Sequence, residues 1–248
     1  MELSKRLQTI ADMVTRGNRV ADVGCDHGFV SIYLYQQNIA PVVYAMDVRT
    51  GPLARAKEHI EEYGLSKYIE TRLSDGVTAL NKGEADALIC AGMGGKLMAK
   101  ILLDGIDKIL AMKELILQPQ SDLAFFRNFL REQGLVIVHE DMVFEEGKFY
   151  PMMRVVPKAM MSEADAQAAY EQSCAYDKAD LNWQRREDLF GTFLLRQKHP
   201  VLKEYLETVK SRNIKILEGL QTEKGLLRRE EILAELDDIE ECLKLFKQ

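Results

Sequence analysis

Asp22-Val23-Gly24-Cys25-Asp26-His27-Gly28 packs two carboxylates, an imidazole and two glycines into one short stretch. The turn follows the apolar pair Val20-Ala21 and precedes a helix-like apolar run from Phe29 to Leu34. A strand, a glycine turn and a helix bring backbone N–H groups up to a ligand in doubly wound sheets. A second apolar run ends in Met46-Asp47, where an acid can bind ribose hydroxyls. Ser74-Asp75-Gly76 closes a third run and can hydrogen-bond an adenine amino group, and Ala91-Gly92-Met93-Gly94-Gly95 closes a fourth. Each segment alone reads as ordinary turn or cap composition. In succession, at the carboxyl ends of consecutive strands, they predict a pocket for a nucleoside cofactor.

The details choose among cofactors. A dinucleotide turn wants G-x-G-x-x-G, but Asp26 stands where the middle glycine would be, and its carboxylate would repel a pyrophosphate. No G-x-x-x-x-G-K-S/T phosphate loop is present. S-adenosylmethionine carries an amino acid and a cationic sulfur, and acids at Asp22 and Asp26 favour it by Coulomb attraction. The expected pocket is Asp22, Gly24, Asp26, Asp47, Asp75, Gly76, Ala91 and Met93. The loop after the fourth strand lacks the N/D-P-P-Y/F grip of exocyclic-amine methylation, and its glycines suit a flat base approaching edge-on. Gly94 and Gly95 open the next helix and can offer N–H groups to a phosphate.

The elements that must position these residues alternate between strand and helix. Strands are expected at residues 19–23, 42–47, 69–73, 85–90, 114–118, 135–140 and 149–156, with helices at 28–37, 51–63, 95–110 and 121–133. This is an α/β, Rossmann-like sheet of seven strands. Only Glu145-Glu146-Gly147-Lys148 separates the last two strands, which predicts an antiparallel hairpin at the sheet edge. Beyond Pro157 strand signals vanish, so residues 1–158 form one domain and 159–248 a helical accessory domain. Ser162 with Asp165 reads as a capping box. Leu202, Leu206, Val209, Asn213, Ile216 and Leu220, then Ile232, Leu236, Ile239, Leu243 and Phe246, form coiled-coil seams. They predict an antiparallel helical hairpin turning between Gly219 and Gly225, with arms about 30 Å long.

Composition sets the outer bounds. The chain has 248 residues, 47% hydrophobic and 29% charged, enough for one large core with an accessory element. No run is apolar enough to cross a bilayer and the N-terminus has no signal-peptide pattern, which predicts a cytoplasmic protein without membrane contact. Cys25, Cys90, Cys174 and Cys242 make no C-x-x-C pair and read as free thiols; the histidines have no metal-ligand spacing, so no metal is expected. The net charge of −6 argues weakly against nucleic acid, since binding needs one basic face only. Lys5, Arg6, Arg16 and Arg19, and then Arg185, Arg186, Arg196 and Lys198, form basic clusters that read first as solvated surface.

The chain resembles the bacterial tRNA (adenine-22, N1)-methyltransferases. The likeness rests on Leu3-Ser4 with Arg6-Leu7, on the Asp22–Gly28 turn, on Ala91–Gly95, on Leu117-Gln118-Pro119-Gln120, on Glu146-Gly147-Lys148-Phe149-Tyr150, and on Lys198-His199-Pro200 leading into a coiled coil. The family often has Ser, Ala and Glu where Cys25, Gly28 and Asp47 stand here, swaps that keep the chemistry. The resemblance implies a class I methyltransferase domain, S-adenosyl-L-methionine as donor and tRNA as acceptor. A monomer or weak dimer is expected. Adenine N1 already carries a lone pair, so a fixed carboxylate is needed only to stabilise the ring charge or take an amino proton. Asp26 is the candidate, with His27 beside it positioning the base. A paired or stacked target must be flipped out, and Phe29, Tyr33 and Tyr150 are candidate stacking partners, with Arg6 a further substrate contact. Arg228 and Arg229 near the hairpin tip are candidates for gripping RNA. Two rivals stay open: the same donor site serving another RNA, a protein or a small molecule, and a non-catalytic protein that holds a partner with its hairpin.

Overall fold

A computed structural model describes residues 1–164, 166–167, 181–219 and 226–247. Asp165, Cys174, Leu220 and most of the expected hairpin turn lie outside the described residues. Seven strands form one sheet: β1 (Val20–Val23), β2 (Val43–Asp47), β3 (Ile69–Leu73), β4 (Ala87–Met93), β5 (Glu114–Pro119), β6 (Leu135–Glu145) and β7 (Lys148–Pro157). Their order is β3-β2-β1-β4-β5-β7-β6, parallel from β3 to β5, with β7 antiparallel to both β5 and β6.

Side-chain alternation sends each central strand's residues into two cores. Ala21, Val23, Leu88 and Cys90 face one core, beneath α4 (Gly95–Asp104), α5 (Ile106–Ile109) and α6 (Leu123–Glu132). Val20, Ala87 and Ile89 face the other, beneath α1 (Lys5–Asp12), α2 (Phe29–Gln36) and α3 (Thr50–Glu62). The innermost strands are buried on both faces, so β1 and β5 show no polar alternation.

Several elements depart from the sequence reading. Helix α1 precedes the first expected strand; Ser4 caps it, its hydroxyl accepting from the Leu7 N–H at 3.4 Å. The expected helix at 95–110 is two helices, broken at Gly105, where a Cβ would stand 2.1 Å from Val77 Cγ2. Strand β4 starts later and runs through Met93, with a bulge between Ala91 and Met93 around Gly92 at φ +78°. The terminal hairpin extends to Glu145 and Lys148 across a tight turn with Glu146 at φ +49° and Gly147 at φ +75°.

Beyond residue 180, the described residues form α7 (Leu181–Phe190), α8 (Thr192–Arg196), α9 (Pro200–Gly219) and α10 (Leu226–Leu245). Leu202, Leu206, Val209 and Asn213 of α9, and Ile232, Ile239 and Cys242 of α10, are buried. Ile216 is 38% exposed, so burial on α9 stops short of the expected seam. These helices share a third core with Met142 and Phe149 of the edge hairpin. The second basic cluster is not free surface. Arg186 Nε donates to Asp238 Oδ1 at 3.1 Å, Arg185 Nη2 lies 3.0 Å from Asp238 Oδ2, and Arg196 Nη2 donates to Glu187 Oε1 at 2.8 Å.

One junction ties the helices to the sheet. Arg127 of α6 and Glu140 of β6 are almost fully buried, with Arg127 Nε donating to Glu140 Oε1 at 2.9 Å. Arg127 Nη1 also donates to the carbonyls of Asp188 (2.9 Å) and Leu189 (3.2 Å), and the Phe193 N–H donates to Glu140 Oε2 at 3.0 Å. Gly191 sits over this pair at φ +94°, where a Cβ would stand 2.7 Å from both Glu140 carboxylate oxygens. His199 Nε2 lies 2.9 Å from Asp141 Oδ1, holding the start of α9 to β6.

Candidate active site

A crevice of about 520 Å³ opens along the carboxyl ends of β1 to β5. Its centre is the turn after β1, where Gly24, Asp26 and Gly28 all have positive φ, at +77°, +49° and +73°. The N–H groups of Gly24 and Cys25 donate to the Met46 carbonyl at 2.8 and 3.0 Å, which fixes the turn against β2. Any side chain at residue 24 would meet the Met93 methyl at 2.4 Å. The Met93 side chain therefore closes over the bare backbone of the β1 turn.

Three acids line one end. Asp22 is buried and its Oδ2 accepts from the Ser31 hydroxyl at 2.6 Å. Burial pushes its pKa up to about 6, against the opposing Ser31 hydrogen bond and with a smaller push from Asp47. Asp47 is equally hidden, and its Oδ1 accepts from the Arg49 N–H at 2.8 Å. Asp75 is exposed beside Gly76; the buried Ser74 hydroxyl shapes that turn by donating to the Gly76 carbonyl at 2.9 Å. A cationic nucleoside matches this set of acids: the buried Asp22 makes no ion pair among the described residues and Asp47 faces only the exposed Arg49, 3.7 Å away, so a positive charge supplied by the ligand is favoured.

The crevice brings together Asp22, Gly24, Asp26, His27, Phe29, Asp47, Asp75, Gly76, Ala91, Met93 and Arg6. The Asp26 carboxylate is 60% exposed at the mouth, 3.7 Å from His27 Nε2 and 4.0 Å from Arg55 Nη2. His27 stacks on Phe29 with ring centroids 5.5 Å apart, and Phe29 on His59 at 4.9 Å. Four expected substrate residues lie outside the lining, Tyr33 among them, packed against the core beneath α1 to α3. The Gly95 N–H donates to the Ser121 carbonyl at 3.1 Å, and a Cβ there would stand 2.6 Å from that oxygen, so Gly95 serves close packing of α4. Gly94 caps the same helix. Tyr150 lies beneath Arg6, whose guanidinium carbon is 4.9 Å from the ring centre.

Sequence reasoning assigned no role to Gln118, which is fully buried. Its Oε1 accepts from the Gly92 N–H at 3.2 Å and from Arg6 Nη1 at 3.3 Å, and its Nε2 donates to the Pro119 carbonyl at 3.2 Å. It thereby holds the β4 loop and α1 together across the crevice. The available signal was the Leu117-Gln118-Pro119-Gln120 segment, which places a glutamine at the end of a largely apolar strand. Among the described residues, no group of three His, Cys, Asp or Glu side chains is placed to hold a metal ion, and no helix is long and apolar enough to cross a membrane.

Strand order with β7 inserted between β5 and β6, and an acid-lined crevice at the parallel strand ends, define a methyltransferase of the Rossmann-like class. The methyltransferase-domain family matches residues 3–153. The tRNA (adenine(22)-N(1))-methyltransferase of Bacillus subtilis is 33% identical over 98% of this chain and 96% of its own length. The crystal structure of the B. subtilis m1A22 tRNA methyltransferase TrmK superposes with a TM-score of 0.80 at 31% identity, covering 97% of this chain and 98% of that one. A Streptococcus pneumoniae protein crystallised in complex with S-adenosyl-L-methionine gives a TM-score of 0.80 at 28% identity, covering 98% and 100%. The chain belongs to the tRNA (adenine(22)-N(1))-methyltransferase family.

Proposed function

We propose that this protein transfers a methyl group from S-adenosyl-L-methionine to N1 of adenine 22 in tRNA. The observation that carries this reading is the acid-lined crevice at the ends of β1 to β3, in a chain that aligns over its whole length with an enzyme of that activity. When bound, S-adenosyl-L-methionine supplies an electrophilic methyl group. The adenine N1 lone pair forms the new N–C bond as the S–C bond breaks; its electron pair stays on sulfur and the ring becomes cationic. Asp22, Gly24, Asp47, Asp75, Gly76, Ala91 and Met93 form the donor pocket in this reading. Asp26 acts on the acceptor: an exposed carboxylate at the crevice mouth can stabilise the developing ring charge or accept a proton from the 6-amino group. The His27–Phe29–His59 stack supports a role for His27 and Phe29 in holding an unstacked base. Arg6, braced by Tyr150 and Gln118, serves the same acceptor.

Residues 1–158 carry the chemistry and 159–248 contact the tRNA body, with Arg228 and Arg229 near the tip of α10 meeting phosphates. The protein works in the cytoplasm as a monomer or weak dimer. Labelled donor incubated with bulk tRNA, followed by digestion to nucleosides, should yield 1-methyladenosine; label in any other nucleoside, or in none, rejects the assignment. Asp26→Ala should keep calorimetric cofactor binding and lose methyl transfer by about a hundredfold or more. Wild-type turnover in that variant removes Asp26 from its role.

A further inference from the structure

The two ends of the crevice differ in charge. Asp47 and Asp75 stand at the ends of β2 and β3, whereas the ends of β4 and β5 present Gly92 and Gln120 with Arg6 of α1 across from them. A cationic donor belongs at the acidic end, which leaves the end without carboxylates for a neutral base. Gln120 is the one carboxamide lining the crevice. Its N–H donates to the Met93 carbonyl at 2.9 Å, fixing its backbone to the β4 loop. Its Nε2 and Arg6 Nη1 lie 3.8 and 3.7 Å from the point where a Gly92 Cβ would stand, so both groups flank the space that a side chain at residue 92 would fill. The Gln120 carboxamide has no hydrogen-bond partner among the described residues. Arg6 is already committed, one Nη to Gln118 and its face to Tyr150.

We propose that Gln120 reads the target adenine through its N6–H and N7 edge, leaving N1 free to be methylated. The inference rests on the function proposed above. A carboxamide offers an acceptor beside a donor, the complement of adenine N6–H and N7, and glutamine makes this bidentate contact to adenine. A contact on the Watson–Crick edge would occupy N1 itself. Guanine presents acceptors at both O6 and N7, so one of the two Gln120 hydrogen bonds would be lost. The guanidinium that would otherwise favour guanine is held by Gln118 and Tyr150.

The test uses full-length protein and tRNA carrying either adenosine or 7-deazaadenosine at position 22, which exchanges the N7 lone pair for a C–H. Wild-type kcat/KM should fall about tenfold on the deaza tRNA. Gln120→Ala should lose about tenfold or more on natural tRNA, lose nothing further on deaza tRNA, and bind S-adenosyl-L-methionine as the wild type does. A wild type that methylates both tRNAs equally overturns the inference and leaves the proposed function standing. Equal deaza losses in wild type and variant overturn it too, as does loss of donor binding in Gln120→Ala. A wild type that methylates no tRNA overturns the inference together with the function it rests on.

Discussion

Asp22 is a residue at which folding and ligand binding make opposite demands. Its folded-state pKa of about 6 lies above the ordinary carboxylate value, so the folded chain binds this proton more tightly than the unfolded chain. The stabilising contribution of that proton is full below about pH 4 and is lost as pH rises through about 6. Asp22→Asn should therefore raise the melting temperature at pH 7.5 by several degrees, the expression of up to roughly 3 kcal/mol, and give no such gain at pH 4. Scanning calorimetry at the two pH values checks this. The same substitution should weaken S-adenosyl-L-methionine binding at pH 7.5, and wild-type affinity should drop between pH 7 and pH 5 while that of the variant stays flat. Gly24→Ala should weaken donor binding at least tenfold without unfolding the chain, because φ +77° strains any residue with a Cβ and that Cβ would push the Met93 methyl aside; titration calorimetry beside circular dichroism separates the two effects. The acids at strand ends were legible in the sequence because position and charge both mark them. Gln118 and Gln120 were not, since a glutamine acquires meaning only once the sheet sets β5 beside β4.

At the scale of elements, the central parallel strands were legible because burial along their length concentrates apolar residues, with polar side chains confined to a few positions such as Asp22, Glu114 and Gln118. The edge hairpin was read short. Residues 141–145 mix polar and apolar side chains because one face of β6 meets the C-terminal helices, a partner no local pattern reveals. Helix α1 was hidden by its basic residues, which suggested a charge cluster and not an amphipathic turn. The break at Gly105 is set by the approach of Val77, a contact distant in sequence. Arg185, Arg186 and Arg196 read as surface because their acidic partners lie on other turns and helices. The connection between α7 and α8 is the most exacting of these elements. Gly191→Ala should destabilise the protein by about 2–4 kcal/mol, combining a left-handed backbone with a collision against the buried Arg127–Glu140 pair. Urea unfolding would register this as a lower midpoint at unchanged slope, and an unchanged midpoint would mean that the junction yields.

Taken as a whole, the molecule has a catalytic sheet and a helical arm that are not separable modules. Met142 and Phe149 belong to the sheet yet pack beneath α7 to α10. Truncation before α9 should therefore lower the stability of what remains, and lost tRNA binding by a truncated chain would not identify the arm as the gripping element. Charge reversal at the exposed tip is the cleaner experiment. Arg228→Glu combined with Arg229→Glu should weaken tRNA binding about tenfold, flatten its dependence on salt and leave donor affinity unchanged. Filter binding across a salt series checks it, and an unaltered slope would exclude the tip from the RNA contact. With Arg127 and Glu140 clamping the root of the arm, and His199 with Asp141 holding its next turn, the span from arm to crevice is a set length. If the arm meets the tRNA body as proposed, the protein acts as a gauge: an RNA that cannot bring one nucleotide to that span should go unmodified, its contour being sorted before any letter is read.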